Sequence, residues 1–296
     1  MARNPHFYKA KSRVGLTNPP IRHSDLNTGV EDAPHQILNG FLHNFAAAKV
    51  DEYTFSAPEK ISDNYWQTVA KELQALKNLI NDNYIYGETQ VVLGGDNTVT
   101  LSSLQAVIER IGEPSKIGYI QFDSHGEMHQ LKTSLSKNFH GMYMRPFFDD
   151  FDVSEIDLLV PKKLNPSQAL TIGDIVFDGD NSEEESFYKD NQIRNINKSL
   201  FDSNPENSLV EIKTFVQNFK HIHINFDIDV FHRSESEATG LPEDGKWLKP
   251  QIFQILEILK HSKSFSIDLV EINPQKPGGQ KTVKLAQEIL LFLLKD

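Results

Sequence analysis

KIGYIQFDSHGE, residues 116–127, decides the fold. An uncharged, largely apolar run from Ile117 ends at Phe122, and Asp123, His125 and Glu127 follow within five positions. A short apolar run bounded by polar residues reads as a buried strand. Four similar runs lie at 90–93, 169–172, 221–226 and 264–272. Between them the period changes from two to about 3.6. Trp66, Val69, Leu73, Leu76 and Ile80 recur at helical steps, as do Leu101, Leu104, Val107, Ile108 and Ile111. Segments 248–260 and 282–294 repeat this pattern. Strands alternating with helices predict an α/β chain: a single-domain, three-layer αβα arrangement with a mostly parallel central sheet. One domain is expected over 1–296, with 1–28 as an irregular N-terminal extension. Residues 1–30, rich in Pro, Asn and basic side chains, offer no convincing strand, and 178–190 looks like a solvated acidic loop.

Composition narrows the function classes. A length of 296 residues suits one large domain, and 39% hydrophobic residues supply a core between two helix layers. No run approaches the roughly 20 apolar residues of a membrane span. The opening MARNPHFYKAKSRVG lacks the apolar stretch of a signal peptide, so a cytoplasmic location is expected. The absence of cysteine excludes disulfides, thiolate ligands and a cysteine nucleophile. A net charge of −11 argues against nucleic acid or an anionic membrane as partner and permits cationic small molecules and metal ions.

Four of the five expected strands end in a polar cluster: GGDN at 94–97, DSHGE at 123–127, DID at 227–229 and EINP at 271–274. In open parallel sheets the crevice beyond the C-terminal strand ends is the usual ligand site, so clusters distant in sequence would converge there. Two carboxylates at i and i+2 share a side of an extended chain and repel unless a counter-charge lies between them. A divalent cation supplies it, and a carboxylate-dominated set with one imidazole suits Mn2+ best. Each piece also has a structural explanation. GGDN fits a turn and helix cap through Asp96 or Thr98, DID fits a solvated strand end, and His221, His223 and His232 read as core or loop residues.

Taken in order, these segments resemble the arginase, agmatinase and formimidoylglutamase family of ureohydrolases. Residues 29–34, GVEDAP, resemble its early GVE-x-x-P segment. GGDN stands where it has GGDH, DSHGE where it has DAHxD, and SKNFHG at 136–141 where arginases have SGNLHG. NFDID at 225–229, ATGLP at 238–242 and EINP complete the set. The resemblance implies that Asp123 and Asp227 bridge two metals, with His125 and Asp229 completing one site and Asn97 and Glu127 the other. It further implies His140 as the proton-transfer histidine and Glu271 as the partner of a substrate guanidinium. Ser136, Asn138, His129 and Asp178 would contact the rest of the substrate.

Departures from the pattern include His129, which stands where arginases have an Asn that touches the substrate, His232-Arg233, which replace the usual Asp-Pro, and two ligand positions that fall on the same metal. Asn97 replaces a histidine and Glu127 an aspartate, and an amide oxygen is a poor transition-metal ligand beside imidazole. One tight Mn2+ site and a second weak or absent one are therefore expected. The resemblance implies hydrolysis of a linear guanidino or amidine C–N bond, arginine to ornithine and urea first, with formimidoylglutamate or agmatine as alternatives. Another class stays open: a single-metal or inactive relative serving as a binding or assembly subunit. Homo-oligomers, trimers or hexamers, are also implied.

Overall fold

Alternation along each strand explains why two separate cores form. The computed structural model describes residues 3–16, 27–56, 64–177, 181–242 and 244–295. Among the described residues eight strands run β1 (Pro5–Lys11), β2 (Lys49–Thr54), β3 (Thr89–Gly94), β4 (Ile117–Phe122), β5 (Ala169–Ile172), β6 (Arg194–Ile196), β7 (His221–Asp227) and β8 (Phe265–Val270). They form one sheet in the order β2-β1-β3-β8-β7-β4-β5-β6, and every pairing is parallel. Phe7, Val91, Leu93, Ile120 and Phe122 join one buried cluster; Tyr8, Val92 and Tyr119 join the other. Successive residues thus point to opposite faces.

Helices cover both faces, as a parallel sheet requires. With α1 at Ala33–Leu38, the face holding Phe7 is covered by α1, α8 (Lys249–Lys260) and α9 (Gly279–Leu294), through Ile37, Leu256 and Leu290 among others. The opposite face is covered by α2 (Tyr65–Asn83) and α3 (Val99–Ile111), through Leu73, Leu76, Leu104 and Val107. Helices α4 (Ser154–Asp157), α5 (Asn181–Asp190), α6 (Lys198–Ser203) and α7 (Pro205–Gln217) fill the remaining crossovers, with Ile212 and Val216 of α7 packing on the Phe7 face. The expected three-layer α/β arrangement is observed, with a sheet that is wholly parallel. Among the described residues no helix is long and apolar enough to cross a membrane.

Two expectations need correction. Residues 5–11 form an interior strand, although 1–30 suggested none. Phe7, Tyr8 and Ala10 are fully buried there, while Lys9 pairs with Glu52 of β2. The basic residues hid a strand whose apolar positions are few but well placed. The segment 178–190 is not simply a solvated loop: 181–190 is helical and turns Glu184 and Tyr188 inward. That inward pair is spaced i, i+4, so the period was present beneath the acidic composition. β4 stops at Phe122, where the apolar run ends, and beyond it His125 keeps a single parallel bridge to Val176.

Strand order positions the chemistry. β3, β8, β7 and β4 are consecutive neighbours, so the residues after Gly94, Val270, Asp227 and Phe122 emerge side by side at one edge. The polar clusters of four distant segments meet for that reason alone.

Candidate active site

The residues following β4 and β7 build the centre of the site. Asp123, His125 and Asp229 each offer a ligand atom, and these atoms lie within 4.8 Å of one another. His125 Nδ1 is 3.1 Å from Asp229 Oδ2 and 3.4 Å from Asp123 Oδ1. Tight turns hold the carboxylates in place. The His125 backbone N–H donates to Asp123 Oδ1 at 2.9 Å, and that of Ser124 to Asp229 Oδ1 at 3.1 Å. Gln121 Nε2 donates to Asp123 Oδ2 at 3.0 Å. Two carboxylates and an imidazole this close, all at most slightly exposed, fit one divalent cation.

Asp227 lies beside this group rather than within it. Its Oδ1 accepts from the Asp229 backbone N–H and its Oδ2 from Asn97 Nδ2, both at 2.8 Å. The donors for a second ion therefore do not fit. Asn97 turns its N–H toward Asp227, the residue with which it would have to share the ion, and its Oδ1 is buried with no hydrogen-bond partner. Glu127 Oε2 is likewise buried without a partner, and the Glu127 backbone is left-handed, with φ 59°. A residue with a long side chain adopts that conformation at a cost.

A cavity of about 320 Å3 opens over these groups. His140, half-buried, and Glu271, almost fully buried, line it. Glu271 also has a left-handed backbone, φ 61°, and is held from two sides. Asn27 Nδ2 donates to its Oε2 at 2.6 Å, and the Asn97 backbone N–H donates to its Oε1 at 3.2 Å. Next to it, Asp96 is fully buried, accepting from Gly15 and Thr98 backbone N–H groups and from the Thr98 and Ser12 hydroxyls. It serves as a structural support, and its side chain stands away from the cavity lining.

The expected substrate contacts divide. Ser136 and His129 line the cavity, with Ser136 Oγ accepting from the Asn138 backbone N–H at 3.2 Å. Asn138 itself is buried at the start of a short helical turn, outside the lining. Asp178 lies outside the described residues. His223 is a core histidine, bonded to Asp268 and Ser266 and remote from the cavity; His232 is an exposed loop residue. Glu184 was missed. It lines the cavity, accepts from the Met128 backbone N–H at 2.7 Å and faces His129 Nε2 at 3.3 Å.

Crowding of acids sets the electrostatics. Burial first, and then the Asp229 charge, raise Asp123 to about 6. Burial and the charges of Asp229 and Asp123 push Asp227 well above the usual carboxylate range. Glu127 is driven up by burial and Asp123, and Glu271 is raised to about 8 by burial and Asp96. Burial alone would lower His125, but Asp229, Asp123 and Asp244 overcome it and hold the imidazole well above its ordinary value. Burial and the His125 charge lower His140 to about 4.

These shifts make a pH statement about the metal-free protein. Groups raised on folding stabilise the fold when protonated, and that stability is lost as pH climbs through about 6 for Asp123 and about 8 for Glu271. His140, lowered on folding, acts oppositely, but its contribution is complete above about pH 6.5. From pH 6.5 to 8.5 the chelator-treated protein should therefore lose stability, by up to about 1.4 kcal/mol per unit for each proton released. A divalent cation on Asp123, His125 and Asp229 should remove only the part of that slope those residues carry, because ligands bind it deprotonated, and should leave the Glu271 part. Urea midpoints that do not fall between these pH values without metal would contradict this picture.

The arginase family model matches residues 13–295. An arginase of Staphylococcus aureus (strain COL) is 28% identical over 290 residues, spanning 96% of this chain and 92% of the relative. The crystal structure of arginase from Bacillus subtilis superimposes with a TM-score of 0.84 at 20% identity, covering 99% of each chain. Formimidoylglutamase from Bacillus subtilis gives 0.72 at 15% identity, covering 99% of this chain and 86% of that one.

Proposed function

This chain belongs to the arginase family, and on that premise we propose that it is a Mn2+-dependent hydrolase of a linear guanidino C–N bond, with arginine, cleaved to ornithine and urea, as substrate. What supports this most is the compact Asp123–His125–Asp229 group, whose His125 and Asp229 line a cavity that also presents His140 and Glu271. Asp123, His125 and Asp229 would hold a divalent cation, which when bound would supply Lewis-acid activation of water. A guanidinium placed against Glu271 would draw off the proton that burial and Asp96 keep on it and bind the resulting carboxylate by charge-assisted hydrogen bonds, with Asn27 and the Asn97 backbone keeping the group in place. The water oxygen adds to the guanidinium carbon, and the bond from that carbon to the chain nitrogen breaks. His140, unprotonated at neutral pH, takes the water's proton and gives it to the leaving amine. Arginine is preferred over agmatine and formimidoylglutamate because residues 136–141 follow the arginase tract and the similar curated proteins carry that name.

A single-metal or inactive subunit is the second reading. It is favoured by the Asn97 amide donating into Asp227 where a second ion would need a ligand. Elemental analysis of the purified chain, paired with urea release from arginine, separates the two. Bound Mn2+ with urea release supports the hydrolase. Bound Mn2+ without turnover of arginine, agmatine or formimidoylglutamate supports the single-metal binding subunit, and no bound metal sinks the hydrolase and leaves an inactive subunit.

A further inference from the structure

His125 has two ring nitrogens, and only one faces the ligand group. Nδ1 points to Asp229 and Asp123; Nε2, on the far side of the ring, lies 3.2 Å from Asp244 Oδ2. Asp244 belongs to none of the motifs that mark the site, and it is only partly exposed. We propose that Asp244 is a positioning residue for the metal site: its carboxylate accepts from His125 Nε2–H and thereby fixes the ring so that Nδ1 is aimed between Asp123 and Asp229. This rests on the metal reading given above.

The loop that carries Asp244 is built to stay where it is. Phe231 and Trp247 form a parallel bridge. Trp247 N–H donates to Val230 O at 3.1 Å, and His232 N–H donates back to Trp247 O at 2.8 Å. The Trp247 side chain is fully buried. Gly245 then lies flat on the ligand turn: a Cβ there would sit 2.0 Å from the carbonyl oxygens of both Asp229 and Phe231, which backbone cannot yield. The residue beside Gly245 is thus fixed against the very turn that presents Asp229, and its carboxylate meets the imidazole from outside. Metal-ligating histidines commonly donate their second N–H to a carboxylate, which sets tautomer and ring orientation, and loss of that partner typically weakens metal binding 10- to 100-fold.

The test is calorimetric titration of the chelator-treated full chain with manganese chloride, for the parent, Asp244→Ala and Asp244→Asn, with metal-free melting temperatures measured alongside. Asp244→Ala should weaken the first Mn2+ equivalent by about 10- to 100-fold. Asp244→Asn, whose side-chain oxygen still accepts from Nε2–H, should weaken it less. Metal-free melting temperatures should stay within about 2 °C, since a partly exposed loop carboxylate away from the core contributes little to stability. Parental affinity in the alanine variant overturns the proposal. So do equal losses in both variants, or a fall in metal-free melting temperature that accounts for the loss. A parent that binds no Mn2+ overturns the metal reading itself, and the role of Asp244 with it.

Discussion

Asp229→Ala should abolish Mn2+ retention and hydrolysis together. Asp229 supplies one of three ligand atoms in the compact group, and its Oδ2 is the nearest carboxylate oxygen to His125 Nδ1. Two ligands, one of them an imidazole, cannot hold a labile divalent cation against water. A loss of roughly a hundredfold or more in affinity is expected, equivalent to about 2.7 kcal/mol. Activity should fall to the background of the assay, because water activation is lost with the ion. Stability discriminates ligand loss from general damage. Asp229 Oδ1 accepts one backbone N–H, from Ser124, whose loss costs about 1 kcal/mol in any buffer. Against that, the Asp229 charge burdens Asp123 and Asp227, so its removal relieves repulsion in the metal-free state. In chelator the variant should therefore melt close to the parent. In Mn2+ at a hundred times the parental Kd, the parent alone gains about 2.7 kcal/mol, or about 5 °C for a domain of this size. Parental metal content in the variant would show that Asp229 is not a ligand.

Much of this was legible in the sequence, for a definable reason. β3, β4, β5, β7 and β8 are buried on both faces, and burial on both faces demands an apolar run. The strands that escaped lack such runs. β2 is an edge strand whose alternate residues are exposed, β6 has three residues, and β1 carries Lys9 and Lys11 at its end. The ligand candidates could be found because each follows a strand, and the shared parallel direction guarantees a common edge. Asn27 and Asp244 could not be found. Asn27 reaches Glu271 across 244 positions, and Asp244 reaches His125 across 119. Nothing local marks either one; only tertiary packing brings them in. Asn97 was visible as a departure, but its hydrogen bond to Asp227 was not. Sequence comparison counts a missing ligand there, whereas the fold gives the amide a different task.

Asn97→His combined with Glu127→Asp should create a second tight Mn2+ equivalent. The two substitutions act on different obstacles. Asn97 places an N–H donor against Asp227 Oδ2, so that lone pair is committed and the amide oxygen is left facing no partner. An imidazole at 97 replaces that donor by a nitrogen lone pair of the kind transition metals prefer, and frees Asp227 to bind the ion. Glu127 poses a problem of reach and of backbone. Its φ of 59° is tolerated better by aspartate than by glutamate, and the shorter side chain draws the carboxylate back toward the position a second ion would occupy. Neither change touches the backbone N–H of residue 97 that donates to Glu271, so the substrate carboxylate keeps that support. Titration with manganese chloride should show one tight and one weak or absent equivalent in the parent, and two in the double variant, the second strengthened by about a hundredfold. If the parent is a weakened hydrolase, urea release from arginine should rise in step with occupancy of the second equivalent. Asn97→His alone should recover part of the affinity, since it supplies the missing nitrogen without correcting Glu127. Two equally tight equivalents in the parent would refute this account. Asn97 and Glu127 would then be working ligands, and the Asn97–Asp227 hydrogen bond a feature of the metal-free protein that the ion displaces.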